Sequence, residues 1–186
     1  MIYEKVLKFL KIIGSIFILI SLVEIIFIIL MNFVYFSIDG SFYLLTEIVY
    51  SSTLFSFSGT LLWLFLISAM ACYAIIGLFM FKTGSKSDIE SIPLAKFLVV
   101  IGMVILLAGF VKMNYLVNLG KTRITSTITT VTFQTALYDM NITPIMPGVF
   151  WVFFISANIA ILISGLAITA IGIKYTLQQE QEVKEK

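Results

Sequence analysis

Residues Ile12–Phe36 read IIGSIFILISLVEIIFIILMNFVYF, an apolar run of twenty-five positions broken by Glu24 and Asn32. At about 1.5 Å of rise per residue, such a helix exceeds the roughly 30 Å hydrocarbon core of a bilayer. A helix also satisfies its own backbone polar groups, which an isolated strand in lipid cannot do. Lys5, Lys8 and Lys11 precede the run, as they would in a cleaved secretory signal. The run is longer than the usual apolar region of about 7–15 residues, carries a glutamate, and leads into Phe33-Val34-Tyr35-Phe36 rather than small residues. It therefore reads as a retained membrane span.

Three more runs follow: Thr60–Phe81, Phe97–Val117 (broken by Lys112) and Val149–Ile173. Each is at least 21 residues long. The fold expected is all-α, a four-helix transmembrane bundle forming one domain over 1–186. Outer segments occupy 37–59 and 118–148, a cytoplasmic loop 82–96, and a cytoplasmic tail 174–186. Composition agrees. Of 186 residues 60% are hydrophobic and 12% charged, against a soluble norm of about half and a quarter, and the mean hydropathy is +1.09.

Orientation follows from basic residues. Lys5, Lys8, Lys11, Lys82, Lys86, Lys96, Lys174, Lys184 and Lys186 flank one side, and only Lys121 and Arg123 the other, nine against two. The positive-inside rule puts both termini and the middle loop in the cytoplasm, with the cell membrane as the expected location. In that middle loop Ser87 and Glu90 have capping-box spacing, and Pro93 suits the first turn of the next helix.

The first outer segment is apolar. Leu44, Leu45, Ile48 and Val49 suit a short helix with one apolar face lying on the membrane surface, with Tyr and Phe residues in the headgroup belt. The second is hydrophilic, and its β-branched stretch Ile124–Thr135 predicts a strand or hairpin. The unpaired edge of such a strand is a place where another chain could pair. Asn141-Ile142-Thr143 has the pattern of an N-glycosylation acceptor, although Pro144 directly after it works against modification. Pro144 and Pro147 are expected to end regular structure before the fourth span. The tail from Lys174 consists of good helix formers and should prolong that span by a turn or two.

Chemistry is confined to few groups. Histidine is absent and Cys72 stands alone, which removes the commonest metal ligand, the commonest general base and any internal disulfide. No cofactor, metal or nucleic-acid partner is expected, and an enzyme is disfavoured. Glu24 and Lys112 are ionisable groups inside spans, and Asn158 is a polar one. Such residues face a bundle interior or a water-filled path. Lys112 can reach inward to Glu24 or outward to the headgroups. With Asn32, Asn114 and Asn118 they could line a polar pocket, giving a proton- or cation-coupled carrier. Alternatively, Glu24, Lys112 and Asn158 satisfy one another and fix helix register.

Small residues mark packed faces. Gly102 and Gly109, and Asn158, Gly165 and Gly172, recur every seven residues, so spans three and four are expected to approach closely. Ser68, Cys72 and Gly77 form a weaker stripe in span two, with Cys72 as a small packing residue. Four spans with a larger outer segment are similar in outline to tetraspanins and claudins. The Cys-Cys-Gly motif of the former, and the Trp and paired Cys of the latter's first loop, are not present here. Small multidrug transporters share a Glu in span one but are shorter. The function expected is that of an accessory subunit or scaffold of a membrane assembly, in contact with lipid and other subunits or copies of itself. The alternative is the carrier.

Overall fold

The computed structural model describes residues 2–86 and 91–184, so the capping pair Ser87 and Glu90 lies outside the described residues. Four long helices dominate: α1 (Ile2–Asn32), α3 (Phe57–Gly84), α4 (Ser91–Lys121) and α6 (Met146–Lys184). All four are long and apolar enough to cross a membrane. Between α1 and α3 lie β1 (Tyr35–Ile38), β2 (Ser41–Leu44) and α2 (Leu45–Val49). Between α4 and α6 lie β3 (Arg123–Thr125), β4 (Thr130–Thr132) and α5 (Phe133–Tyr138). Pro93 falls in the first turn of α4, where its missing N–H costs no helical bond. The last helix runs on to Lys184, through the tail.

The chain divides into two compact units. The first gathers the described residues of Met1–Ser21, Cys72–Phe110 and Asn158–Lys186, and the second Leu22–Ala71 and Val111–Ala157. All the described basic residues apart from Lys112, Lys121 and Arg123 belong to the first unit.

In the first unit, glycines bring backbones together. A methyl group on Gly14 of α1 would lie 2.5 Å from the Phe81 nitrogen and 2.7 Å from the Gly77 oxygen of α3. One on Gly84 would lie 2.5 Å from the Lys11 nitrogen. The same closeness holds for α4 and α6, where a methyl on Gly102 would meet the Thr169 nitrogen at 2.7 Å and one on Gly172 the Val99 nitrogen at 2.7 Å. Gly165 lies against Ile105 and Leu106. Leu10, Phe17, Tyr73, Met80, Leu98, Ile105, Ile161 and Ile168 fill the space between these contacts. The Ser68 and Cys72 stripe is corrected. Both residues are exposed, and Ser68 Oγ donates to the Leu64 carbonyl of its own helix at 3.0 Å. The glycines of α3 in this unit are Gly77 and Gly84, and a methyl on either would meet the backbone of α1.

The second unit corrects the reading of 33–59. Helix α1 ends at Asn32, and Tyr35 and Phe36, apolar enough to look like the end of a span, belong to a strand instead. β1 pairs antiparallel with β2 from Tyr35↔Leu44 to Ile38↔Ser41. Asp39 (φ 51°) and Gly40 (φ 78°) form the connecting turn. A two-residue loop with positive φ at both positions matches the right-handed twist of the strands, and Asp-Gly is its preferred pair. Helix α2 exists where the apolar pattern places it, but its apolar face is turned into protein rather than lipid. Leu45, Ile48 and Val49 are fully buried in the unit's own core. Glu47 Oε2 accepts the Leu44 amide at 2.7 Å and closes its first turn.

The Thr-rich stretch does form a hairpin, β3 with β4, registered from Arg123↔Thr132 to Thr125↔Thr130. Its outer edge does not stand alone, for Ile124 bridges to Phe55 and the Thr125 amide donates to the Leu54 carbonyl at 2.9 Å. Helix α5 was not foreseen. Thr132 caps it by accepting the Thr135 amide at 3.1 Å, and Phe133, Ala136 and Leu137 turn inward. Pro147 does not end regular structure either. It sits in the first turn of α6, where proline is tolerated.

Aromatic rings join these pieces. Phe133 packs against Phe55 (5.7 Å between centroids), Trp63 (6.1 Å) and Trp151 (5.7 Å), and Trp151 against Phe154 (6.4 Å). Edge-to-face and tilted rings of this kind add to the area they bury. Asp39 ties the hairpins together, accepting the Ile128 amide at 3.1 Å and the Thr129 hydroxyl at 2.9 Å. The Ser126 hydroxyl, with these donors, holds its carboxyl below the ordinary aspartate range.

Candidate functional site

Helix α1 carries Glu24 and helix α4 carries Lys112, both within the second unit. Each lies in an apolar run where its neighbours are Leu, Val, Ile and Met, so each helix turns the charged position toward protein rather than lipid. The result is a salt bridge in which Lys112 Nζ donates to Glu24 Oε1, with both side chains wholly buried. Of the two directions open to the lysine stem, inward is the one taken. Glu24 Oε2 has no hydrogen-bond partner. Asn32 Oδ1 and Trp63 Nε1, in the same unit, are also buried without one.

Asn158 belongs to the first unit. Its Nδ2 donates to the Gly109 carbonyl at 3.0 Å, and its Oδ1 accepts from the Tyr73 hydroxyl at 3.2 Å. A helical carbonyl has a second lone pair for such a bond, and the bare Cα of Gly109 leaves room for Leu162, whose Cδ2 would lie 2.6 Å from a methyl there. Tyr73 is fully buried and meets Phe17 edge-on at 6.3 Å. The sequence reading overlooked it. A tyrosine inside an apolar span was the signal, since a buried phenol needs a partner for its hydroxyl.

The other asparagines are placed differently. Asn118 and Asn114 are both exposed, and Asn118 Nδ2 donates to Asn114 Oδ1 one turn away on α4. The described residues include no cluster of three His, Cys, Asp or Glu side chains able to hold a metal.

Asn141 lies in an exposed turn, and its surroundings work against glycan transfer. Asp139 Oδ1 accepts both its backbone amide (2.9 Å) and its side-chain Nδ2 (3.0 Å). Thr143, the hydroxyl residue of the acceptor triplet, is 4% exposed, and its Oγ1 is directed at the Tyr35 carbonyl at 3.4 Å. Protein made in a glycosylating host is expected to keep its electrophoretic mobility after amidase removal of N-glycans. A shift abolished by Asn141→Gln would refute this.

No family model, curated protein or solved structure matches this chain.

Proposed function

We propose that this chain is a multi-pass cell-membrane protein with both termini cytoplasmic, acting without catalysis as an accessory subunit or scaffold of a membrane assembly. The carrying observation is the wholly buried pairing of Glu24 with Lys112. Two opposite charges that neutralise each other inside protein act on helix register, the best-attested use of such pairs. The gathering of cytoplasm-type lysines in one unit supports the orientation. Exposed apolar side chains beside the hairpins, Ile128 (83%), Met140 (73%) and Ile145 (62%), give the outer segment a surface that another subunit would cover.

A second reading has one observation in its favour, the unpartnered Glu24 Oε2. A carboxylate with one free oxygen is where a carrier would take a proton or small cation. Glu24→Gln separates the two. Under the scaffold reading the variant loses its assembly, read as oligomer mass after detergent extraction, and neither form carries pH-driven flux in proteoliposomes. Intact assembly with wild-type flux that vanishes in the variant would establish the carrier instead.

A further inference from the structure

At its hairpin end the second unit holds three carboxylates, each already occupied. Asp39 accepts from Ile128 and Thr129, Glu47 from the Leu44 amide, and Asp139 from Asn141. The two cations at that end, Lys121 and Arg123, have no carboxylate partner, since the one ion pair among the described residues joins Lys112 to Glu24. Both line a single open cavity of about 590 Å³, and no carboxylate lines it with them.

Other groups around the cavity have the same preference. Ser56 and Ser58 border it at the first turn of α3, a helix of 28 residues. Ser56 Oγ accepts the Gly59 amide at 3.2 Å and its carbonyl the Thr60 amide at 3.1 Å. Ser58 lines the cavity with its amide among the first of α3, at the positive end of the helix dipole. Lys121 stands in the last turn of α4 and offsets the carbonyl end of that helix. Arg123 and the α3 N-terminus at Ser58 then set the sign. The Thr125 hydroxyl adds a donor, and Leu54, Phe55 and Leu62 form an apolar wall.

Donors of this number, with an arginine fork among them, suit a tetrahedral oxyanion. The volume and the apolar wall suit an organic substituent on it. The span-length apolar helices α3 and α4 begin at Phe57 and end at Lys121, so under the proposed transmembrane arrangement the cavity stands at the level of the headgroups. We propose that it binds a phosphate ester, either a phospholipid headgroup or the same group on a soluble molecule. The assignment does not depend on the role of Glu24.

The test uses full-length protein in a maltoside detergent, with short-chain phosphatidylglycerol as the lipid probe and glycerol 3-phosphate as the soluble one, bound complexes being counted by native mass spectrometry. The double variant K121Q/R123Q is expected to lose about tenfold or more in affinity, on the scale of charge-assisted hydrogen bonds. The control K82Q/K86Q should bind like wild type, and the charge-keeping K121R/R123K, which moves the fork to position 121, should bind more weakly than wild type but more tightly than K121Q/R123Q. Displacement of the lipid by millimolar glycerol 3-phosphate would mean that soluble esters share the site; lipid binding that resists it would identify the headgroup as the ligand. Wild type binding neither probe, K121Q/R123Q binding as wild type does, or an equal loss in K82Q/K86Q would overturn the proposal.

Discussion

Lys112→Met is expected to destabilise the folded protein by about 3–5 kcal/mol, the range found when one member of a buried ion pair is removed and the other is left uncompensated. Glu24 then has no counter-charge among groups that are themselves wholly buried. The size of the loss reflects the stranded carboxylate more than the bond, so the double variant E24L/K112M should recover most of it. Its two apolar side chains fill similar space and desolvate no charge. Reversible unfolding in mixed micelles, read by tryptophan fluorescence from Trp63 and Trp151, would give both values. If the double variant were as damaged as K112M, the pair would be doing more than neutralising itself, and the carrier reading would gain.

The second large effect has a sign opposite to the general rule. Glycine to alanine inside a helix ordinarily stabilises by about 1 kcal/mol. At Gly14 the new methyl would stand 2.5 Å from the Phe81 nitrogen and 2.7 Å from the Gly77 oxygen. Backbone atoms cannot rotate away as a side-chain tip can, so α1 and α3 would have to separate locally. Overpacking of this kind costs about 1–3 kcal/mol, and Gly14→Ala is expected to be destabilising despite its better propensity. Gly120→Ala is the matched contrast. There the methyl would meet Gln134 Oε1 at 3.3 Å and the Trp151 ring at 3.5 Å, and the flexible glutamine can yield, so the change should be neutral or mildly stabilising. Melting temperatures of the two variants, measured side by side, decide the matter; equal gains at both positions would show that the α1–α3 approach is looser than described.

How far the sequence carried the fold depended on what each residue's neighbours could reveal. Four apolar runs longer than a bilayer leave one outcome for the backbone, and the helices fall where those runs do. The Thr-rich hairpin was legible for a related reason, since a dense block of β-branched residues packs poorly on a helix. Phe33–Phe36 were misread as the end of a span because hydropathy does not distinguish lipid-facing from core-facing apolar groups. The Asp39-Gly40 pair was the overlooked signal. The same blindness placed Leu45, Ile48 and Val49 on a membrane surface rather than in a protein core. For the site, a lone acid and a lone base within spans suggested each other by cost alone, and the chain pairs them. The partners of Asn158 were not legible, because one of them is a backbone carbonyl and backbone acceptors leave no mark in a sequence.

Transmembrane arrangement is what every functional statement rests on, and single-cysteine labelling reads it directly. In a Cys72→Ala background, cysteines at Lys86 and Thr129 are treated with a membrane-impermeant maleimide in intact cells and again after permeabilisation. The account predicts that position 129 reacts in intact cells and position 86 only once the membrane is opened. Reaction of both positions in intact cells, or of neither, would contradict it.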